Sequence, residues 1–392
     1  MKLFQRLLVA PAALGLFSPL AANATEINLN EIANYSDVES IELDNPFDNG
    51  RLTNSPLLVG GEGLVETDSH DGGFSETTTA SFSVDFAVGA VDGAGIKTGV
   101  TEGTEQVQAT YGFQIDLNTS FTGEDSLDVS LDAGNANGTL SEFDLNGPSE
   151  SLTVDGVSYT FPIGDSVTAI VGDNTDGSAM FTTACVYGGP SNTLDDCGNV
   201  NAGFTNGGFA VGAAYDFGNG FTAAAGFAGP ETAIATDSSA DAYGFNGAYI
   251  GDNFGLSATY GMIDSTTGTP AVADGEVDTF TALNGYYTLD NGLSISGGYE
   301  WGDFGGVADT SDGSINYFVG VSAPAGPGEL GAAFGTSGGQ TEGETEELMY
   351  EAYYSYPVND GMTITPLVYI KEQATAGTPD QTGIMVKTSF SF

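Results

Sequence analysis

Basic residues are nearly missing from this chain. Six Lys and Arg stand against 53 Asp and Glu in 392 residues, giving a formal net charge of −47, and there is a single histidine. Lys2 and Arg6 lie at the very start, which leaves Arg51, Lys97, Lys371 and Lys387 for the remainder. A nucleic-acid partner is excluded, because neutralising phosphates needs many Lys and Arg side chains. Catalytic signatures are as scarce. The lone His70 sits in an Asp-Ser-His-Asp-Gly turn and reads as a solvated residue, and no phosphate loop or zinc-ligand spacing occurs. Asp173-Asn174-Thr175-Asp176-Gly177 lacks the third-position ligand and the later Glu of a calcium loop. Neither a metal site, a cofactor nor an enzyme activity is expected.

Long apolar runs are missing too. One short stretch, Leu7 to Leu20, follows the two basic residues, carries Pro11 and Pro19, and ends at Ala22-Asn23-Ala24. It reads as a secretory leader, residues 1–24, removed after Ala24. Nothing later approaches the ~18 to 20 apolar residues of a membrane-spanning helix. Such acidity with few aromatics would indicate disorder, but 24 Phe, 17 Tyr and 40% hydrophobic residues argue for a folded chain. With 58 Gly beside those aromatics, β structure is expected. Cysteine occurs only at Cys185 and Cys197. In an exported protein the pair reads as a disulfide, with two free thiols as the alternative.

What is present is a period of two. Phe254, Leu256, Ala258 and Tyr260 alternate with Gly255, Ser257 and Thr259, and Leu293, Ile295, Tyr299 and Trp301 oppose Ser294, Ser296 and Glu300. This is the pattern of strands with one apolar and one polar face. Tight turns at Gly218-Asn219-Gly220, Gly251-Asp252-Asn253, Asp290-Asn291-Gly292, Pro324 to Gly328 and Pro357 to Gly361 alternate with longer polar loops. Short turns at one rim and long loops at the other are the plan of an outer-membrane barrel. Eleven strands from Phe209 onward, joined to runs at Thr78–Ala90, Gln106–Leu117, Ser126–Asp132, Thr139–Leu145 and Leu152–Phe161, predict sixteen. The expected fold is all-β: a transmembrane antiparallel barrel over 74–392, with short periplasmic turns and long extracellular loops. A further hairpin of Ser166–Val171 with Met180–Tyr187 would make eighteen. The longest connection, 162–208, is expected to enter the lumen as a constriction loop. Residues 25–73 are expected to form an irregular periplasmic arm or a lumenal plug.

Several stretches resemble the cyanobacterial branch of the carbohydrate-selective porin family, whose members include iron-uptake porins. They are MKLFQRLLVAPAALGL, FSETTTASFSVDFAVGAV, YGFQIDLNTSFTGEDSLDVSLDAGN, VDGVSYTFPIGDSVTAIVGD and the terminal MVKTSFSF. The resemblance implies an outer-membrane barrel that admits inorganic ions and small nutrients, with carbohydrate transport named among relatives. Two departures stand out. Relatives carry a surface-layer-homology domain and a coiled coil that hold the barrel to the wall, and Thr25 to Gly73 contains neither. Relatives also carry Lys and Arg in the stretch that here reads Gly123 to Asp132, so carbohydrate selectivity loses its basic side chains.

The polar face supplies the candidate lining. Asp85, Asp116, Asp128, Asp132, Asp216, Glu300 and Glu351 oppose apolar neighbours, and Asp165 and Asp173 join them as pore-lining candidates from the long connection. Carboxylate rings favour cations. Acidity suited to a salty habitat is the alternative origin of this composition. Aromatics at strand ends, Phe217, Phe221, Phe254, Tyr356 and Phe392 at one rim and Tyr260, Trp301 and Tyr350 at the other, are expected to form interfacial girdles. The expected partners are outer-membrane lipid, the barrel-assembly machinery through Phe392, copies of the chain in a homotrimer, and small hydrophilic solutes and cations. A structural or adhesive barrel with a plugged lumen is the competing function, and a secreted calcium-binding repeat protein lacks the glycine-aspartate repeats it would need.

Overall fold

A computed structural model describes residues 77–392 apart from 94–105, 137, 139, 146–148, 205–207, 233, 235–239, 265–276, 306–312, 339, 342 and 375–377. The leader, the arm, His70, Arg51 and Lys97 lie outside the described residues.

The strands are β1 (Thr78–Asp92), β2 (Gln108–Thr119), β3 (Ser126–Gly134), β4 (Thr153–Ile163), β5 (Val167–Asp173), β6 (Phe209–Gly218), β7 (Phe221–Gly229), β8 (Ala242–Ile250) and β9 (Phe254–Asp264). They continue with β10 (Val277–Thr288), β11 (Ser294–Asp303), β12 (Gly313–Ala325), β13 (Gly328–Thr336), β14 (Gln340–Thr341), β15 (Leu348–Asn359), β16 (Met362–Lys371) and β17 (Gln381–Ser391). Each wall strand pairs antiparallel with its sequence neighbour, and β1 pairs with β17 from Ser83↔Ser391 to Asp92↔Thr382. That last pairing closes a barrel of sixteen wall strands. The two-residue β14 is extra, adding to β12 above the end of β13. Closure removes the unpaired edges that an open sheet would carry into lipid. The C-terminal residue sits in the seam: Phe82 and Phe392 exchange backbone hydrogen bonds at 2.9 and 3.0 Å, and their rings stack with centroids 5.7 Å apart.

The connections alternate between the rims. Those at the rim of the C-terminus are two to six residues long, and those at the other rim run from nine to 35. The tightest reverse the chain with residues suited to positive φ, such as Asn219 at 55° between β6 and β7. The outward face is a belt of exposed apolar side chains. Phe217, Phe221 and Phe254 are exposed near the short-turn rim, and Tyr260, Trp301 and Tyr350 toward the loop rim.

Sixteen strands is the expected number, but it arises from two corrections that cancel. Thr139–Leu145 is not a strand. Its Ser141–Phe143 segment is a single 3-10 turn, with Leu140, Phe143 and Leu145 buried inside the barrel. Residues 167–173, read as part of the long loop, are instead β5, hydrogen-bonded to both β4 and β6. The long connection therefore starts at 174, and Met180–Tyr187 is not a wall strand.

Candidate functional site

Register defines which side chains face the interior. Following the register around the barrel from Glu300 puts Asn316, Ala333, Glu351, Tyr369, Met385, Ala87 and Thr110 on the same, lumenal face. Trp301, Tyr299 and Ile295 face the opposite way and are exposed.

Connection 174–208, hereafter the strap, lies against the lumenal wall. Its outgoing leg is extended. The Thr182 N–H donates to Asn246 Oδ1 on β8 at 2.9 Å, the Ala184 N–H to Ser257 Oγ on β9 at 2.8 Å, and the Val186 N–H to Ser296 Oγ on β11 at 3.1 Å. The geometry matches by simple spacing. Four extended residues span ~13 Å, and the three interstrand steps from β8 to β11 span ~14 Å. Alternate amides of a chain crossing the wall thus meet β8, β9 and β11. The skipped strand, β10, is met by the return leg, where Asn284 Nδ2 donates to Cys197 O at 2.9 Å. The Cys185–Cys197 disulfide joins the two legs.

Close approach explains two lumenal glycines. A Cβ on Gly298 would overlap the Cys197 carbonyl oxygen, and one on Gly226 that of Gly177. The strap rests directly on wall backbone at these points.

The largest apolar cluster among the described residues is also inside the barrel. Phe318, Met349, Tyr353, Leu367, Tyr369 and Met385 on the wall are covered by Tyr187 and Leu194 of the strap and by Leu140 and Phe143 of connection 135–152. Ionisable groups tie these pieces together. Lys371 Nζ donates to Glu142 Oε1 at 2.7 Å and to Thr193 Oγ1 at 2.9 Å, and Thr193 Oγ1 donates to Glu142 Oε2 at 2.7 Å. Lys387 stands 5.7 Å over the Phe143 ring.

The wall from β2 to β4 is different in kind. Asp116 Oδ1 accepts from Gln114 Nε2 and Ser130 Oγ at 2.7 Å each, Asp128 accepts from Asn118 and Ser126, and Asp132 Oδ1 accepts from Thr153 Oγ1 at 2.8 Å. Asp128, Asp155 and Asp176 line one cavity of about 430 Å³ with Ser130 and Ser158. The partners of Asp116, Asp128 and Asp132 are hydroxyls and amides, so their charge is oriented but not cancelled. Asp116 lies opposite Ser130, which puts Asp128, Asp116 and Asp132 at successive levels ~7 Å apart along the strand direction.

The other expected lining residues divide. Asp85 is lumenal on β1, opposite Ser389 and Gly112. Asp216 has lumenal register, but its Oδ1 accepts the Gly218 N–H at 2.7 Å and caps its own turn. Asp165 lies in turn 164–166, at the short-turn rim and away from the strap. Asp173 pairs with outward-facing Val157 and so faces away from the lumen. Glu300 and Glu351 have lumenal register but are buried beneath the strap. Glu300 accepts the Asn201 and Ala202 N–H groups at 2.8 Å, and Glu351 Oε1 accepts the Tyr187 hydroxyl at 2.7 Å. They anchor protein to protein.

Sequence reasoning missed Asp195 and Asp196 on the strap. Both are exposed to lumenal water yet ringed by protein, and they line a cavity of about 310 Å³ beside the disulfide. Burial first, then Asp196 and Asp144, pushes the Asp195 carboxyl up to about 7. Burial, then Glu300 and Asp144, pushes Asp196 up to about 6. Their adjacency inside a connection too long to be a simple turn was the available signal.

Among the described residues no group of three or more His, Cys, Asp or Glu side chains is arranged to hold a metal ion. The sequence matches no protein-family model and no curated protein. Its fold has many solved counterparts. An anion-selective porin from Comamonas acidovorans aligns with a TM-score of 0.58 at 14% identity, covering 81% of this chain and 99% of that one. OprB of Pseudomonas putida aligns at 0.59 and 11% identity, covering 81% and 94%. OmpT of Vibrio cholerae, lacking its loop L8, aligns at 0.55 and 10% identity, covering 81% and 100%. At these identities the likeness is one of fold, and the fold of this chain is that of the bacterial outer-membrane porins.

Proposed function

We propose that this protein is an outer-membrane porin: a passive, cation-favouring channel for inorganic ions and small hydrophilic nutrients. The observation that carries this is the unopposed acidic face of β2 to β4. Asp116 and Asp128, both half-buried, and Asp132, itself buried, stand at neighbouring levels of one wall, with no basic partner among their hydrogen bonds. The two lysines among the described residues lie elsewhere, Lys371 paired to Glu142 and Lys387 over Phe143.

The magnitudes suit passage rather than capture. Unit charges ~7 Å apart interact by about 0.6 kcal/mol in bulk water and about 2.4 kcal/mol at an effective dielectric constant of 20. A cation gains about the thermal energy or a few times that at each level, enough to enrich it and too little to hold it. Selectivity does not follow from the fold, since the aligned Comamonas protein is named anion-selective. It follows here from the lining charge. Sugar passage rests on the resemblance alone, because lumenal Tyr187, Tyr353 and Tyr369 are packed away from water. The exposed outer belt fits a lipid surface and, in this reading, the contacts of a homotrimer delivered by the barrel-assembly machinery.

The test is the reversal potential of the refolded mature protein in a planar bilayer under a potassium chloride gradient. Steady conductance with cation preference is expected. Silence from a correctly folded, heat-modifiable barrel would favour a structural barrel with a closed lumen, and anion preference would overturn the assignment of the lining.

A further inference from the structure

The lumen is unevenly furnished. Most of the strap's hydrogen bonds and apolar contacts lie over β6 to β12, and Tyr187 and Thr193 reach on to Glu351 of β15 and Lys371 of β16. Connection 135–152 and the strap's far end cover β12, β13, β15 to β17 and β1 with one apolar cluster. The wall from β2 to β4 carries no such apolar cluster: its lumenal side chains bond to one another, and the first residues of the strap, Asn174 to Asp176, meet it around a cavity shared with Asp128 and Ser130. We propose that the two inward connections form one plug, that the aqueous path is confined to the β2 to β4 side, and that Lys371 is the positioning residue latching the plug to the wall.

This proposal rests on the porin reading and adds where the path runs and what sets its width. Three observations converge on Lys371. It belongs to β16 and is therefore fixed to the wall. Its ammonium reaches Glu142 from one inward connection and Thr193 from the other. The pair is only partly exposed, and it is the one ion pair among the described residues. Two segments that share no strand are thus held to a third by one side chain. The Glu142 backbone adds to the joint, since its carbonyl accepts the Asn192 N–H at 3.0 Å. A charge-assisted triad with limited solvent contact is stronger than its exposed counterparts.

The experiment compares wild-type protein with Lys371→Met, Lys371→Arg and Glu142→Gln in planar bilayers, reading conductance while neutral polyethylene glycols of graded size are added. The latch predicts the same change for Lys371→Met and Glu142→Gln: higher conductance and entry of polymers that the wild type excludes, with Lys371→Arg close to wild type. A purely electrostatic role predicts opposite changes, because one variant removes a positive charge and the other a negative one. Opposite changes, or an unchanged polymer cut-off in both, would overturn the proposal. Amide hydrogen exchange over residues 182–202 gives a second reading on the same folded samples. Loss of protection in the two variants supports the latch, and full protection refutes it. If the wild type does not conduct, the porin reading falls while the exchange result still decides the latch. Should Lys371→Met fail to fold, Thr193→Ala removes one arm of the triad and is judged by the same two readings.

Discussion

Glu300 and Ala202 are joined by a 2.8 Å hydrogen bond in which a fully buried wall carboxylate accepts a backbone N–H of the strap. The same oxygen accepts the Asn201 N–H, and its twin accepts the side-chain amides of Asn201 and Asn316. All four donors are uncharged, so this carboxylate is kept in the interior by filled lone pairs rather than by a cation. Glu300→Ala leaves those donors unmatched at about 1–3 kcal/mol for each buried group. The expected outcome is a lower temperature for the heat-modifiable gel shift and a noisier single-channel current, with Glu300→Gln between the variant and wild type. A quiet Glu300→Ala channel would show that the strap does not depend on this anchor.

The acidic wall makes a graded prediction. Asp116→Asn, Asp128→Asn and Asp132→Asn should each move the reversal potential toward zero, and the triple variant should move it furthest, because each removes one charge from a succession of levels ~7 Å apart. Asp216→Asn should change it little, since that carboxylate caps a turn. Equal effects from Asp216 and the three wall residues would argue for a diffuse surface potential.

Asp195 and Asp196 predict a pH dependence with a definite sign. Their carboxyls are raised from the ordinary 3.8 to about 7 and about 6. Between the ordinary value and about 7 the folded barrel retains protons that the unfolded chain has released, so stability falls as pH rises through that window and levels off above it. Over the same window the strap gains negative charge facing Asp144 and Glu300, and cation preference should rise. Reversal potentials measured on either side of the window check this, and the Asp195→Asn, Asp196→Asn double variant should flatten the change.

Gly298→Val should lift the strap, because its side chain would occupy the position of the Cys197 carbonyl. Faster reduction of the Cys185–Cys197 disulfide by dithiothreitol is the expected readout. Gly297→Val, on the outward face of the same strand, is the control and should leave that rate unchanged.

The strands were legible where one face carried exposed apolar side chains and the other did not. Phe254 to Tyr260 and Leu293 to Trp301 alternate cleanly, and their neighbours pair in the expected order. β5 escaped because it is short and its lumenal Ile170 is buried, which breaks the alternation of an apolar outer and polar inner face. Thr139–Leu145 deceived for the related reason. Leu140, Phe143 and Leu145 are apolar because they pack inside the barrel, and a period of two cannot tell burial against protein from burial in lipid.

Residue chemistry alone therefore determined the class of fold and the two unlike rims. Alternation assigns a side chain to a face, and the register puts Asp116, Asp128, Asp132, Glu300 and Glu351 opposite the exposed apolar belt but Asp173 on the side of that belt. Only the tertiary structure decided which of these meet water. Glu300 is covered by residues about a hundred positions before it, and Lys371 meets Glu142 across 229 positions. Such contacts leave no local period in the chain. They follow from where a long connection comes to rest once the barrel has closed around it.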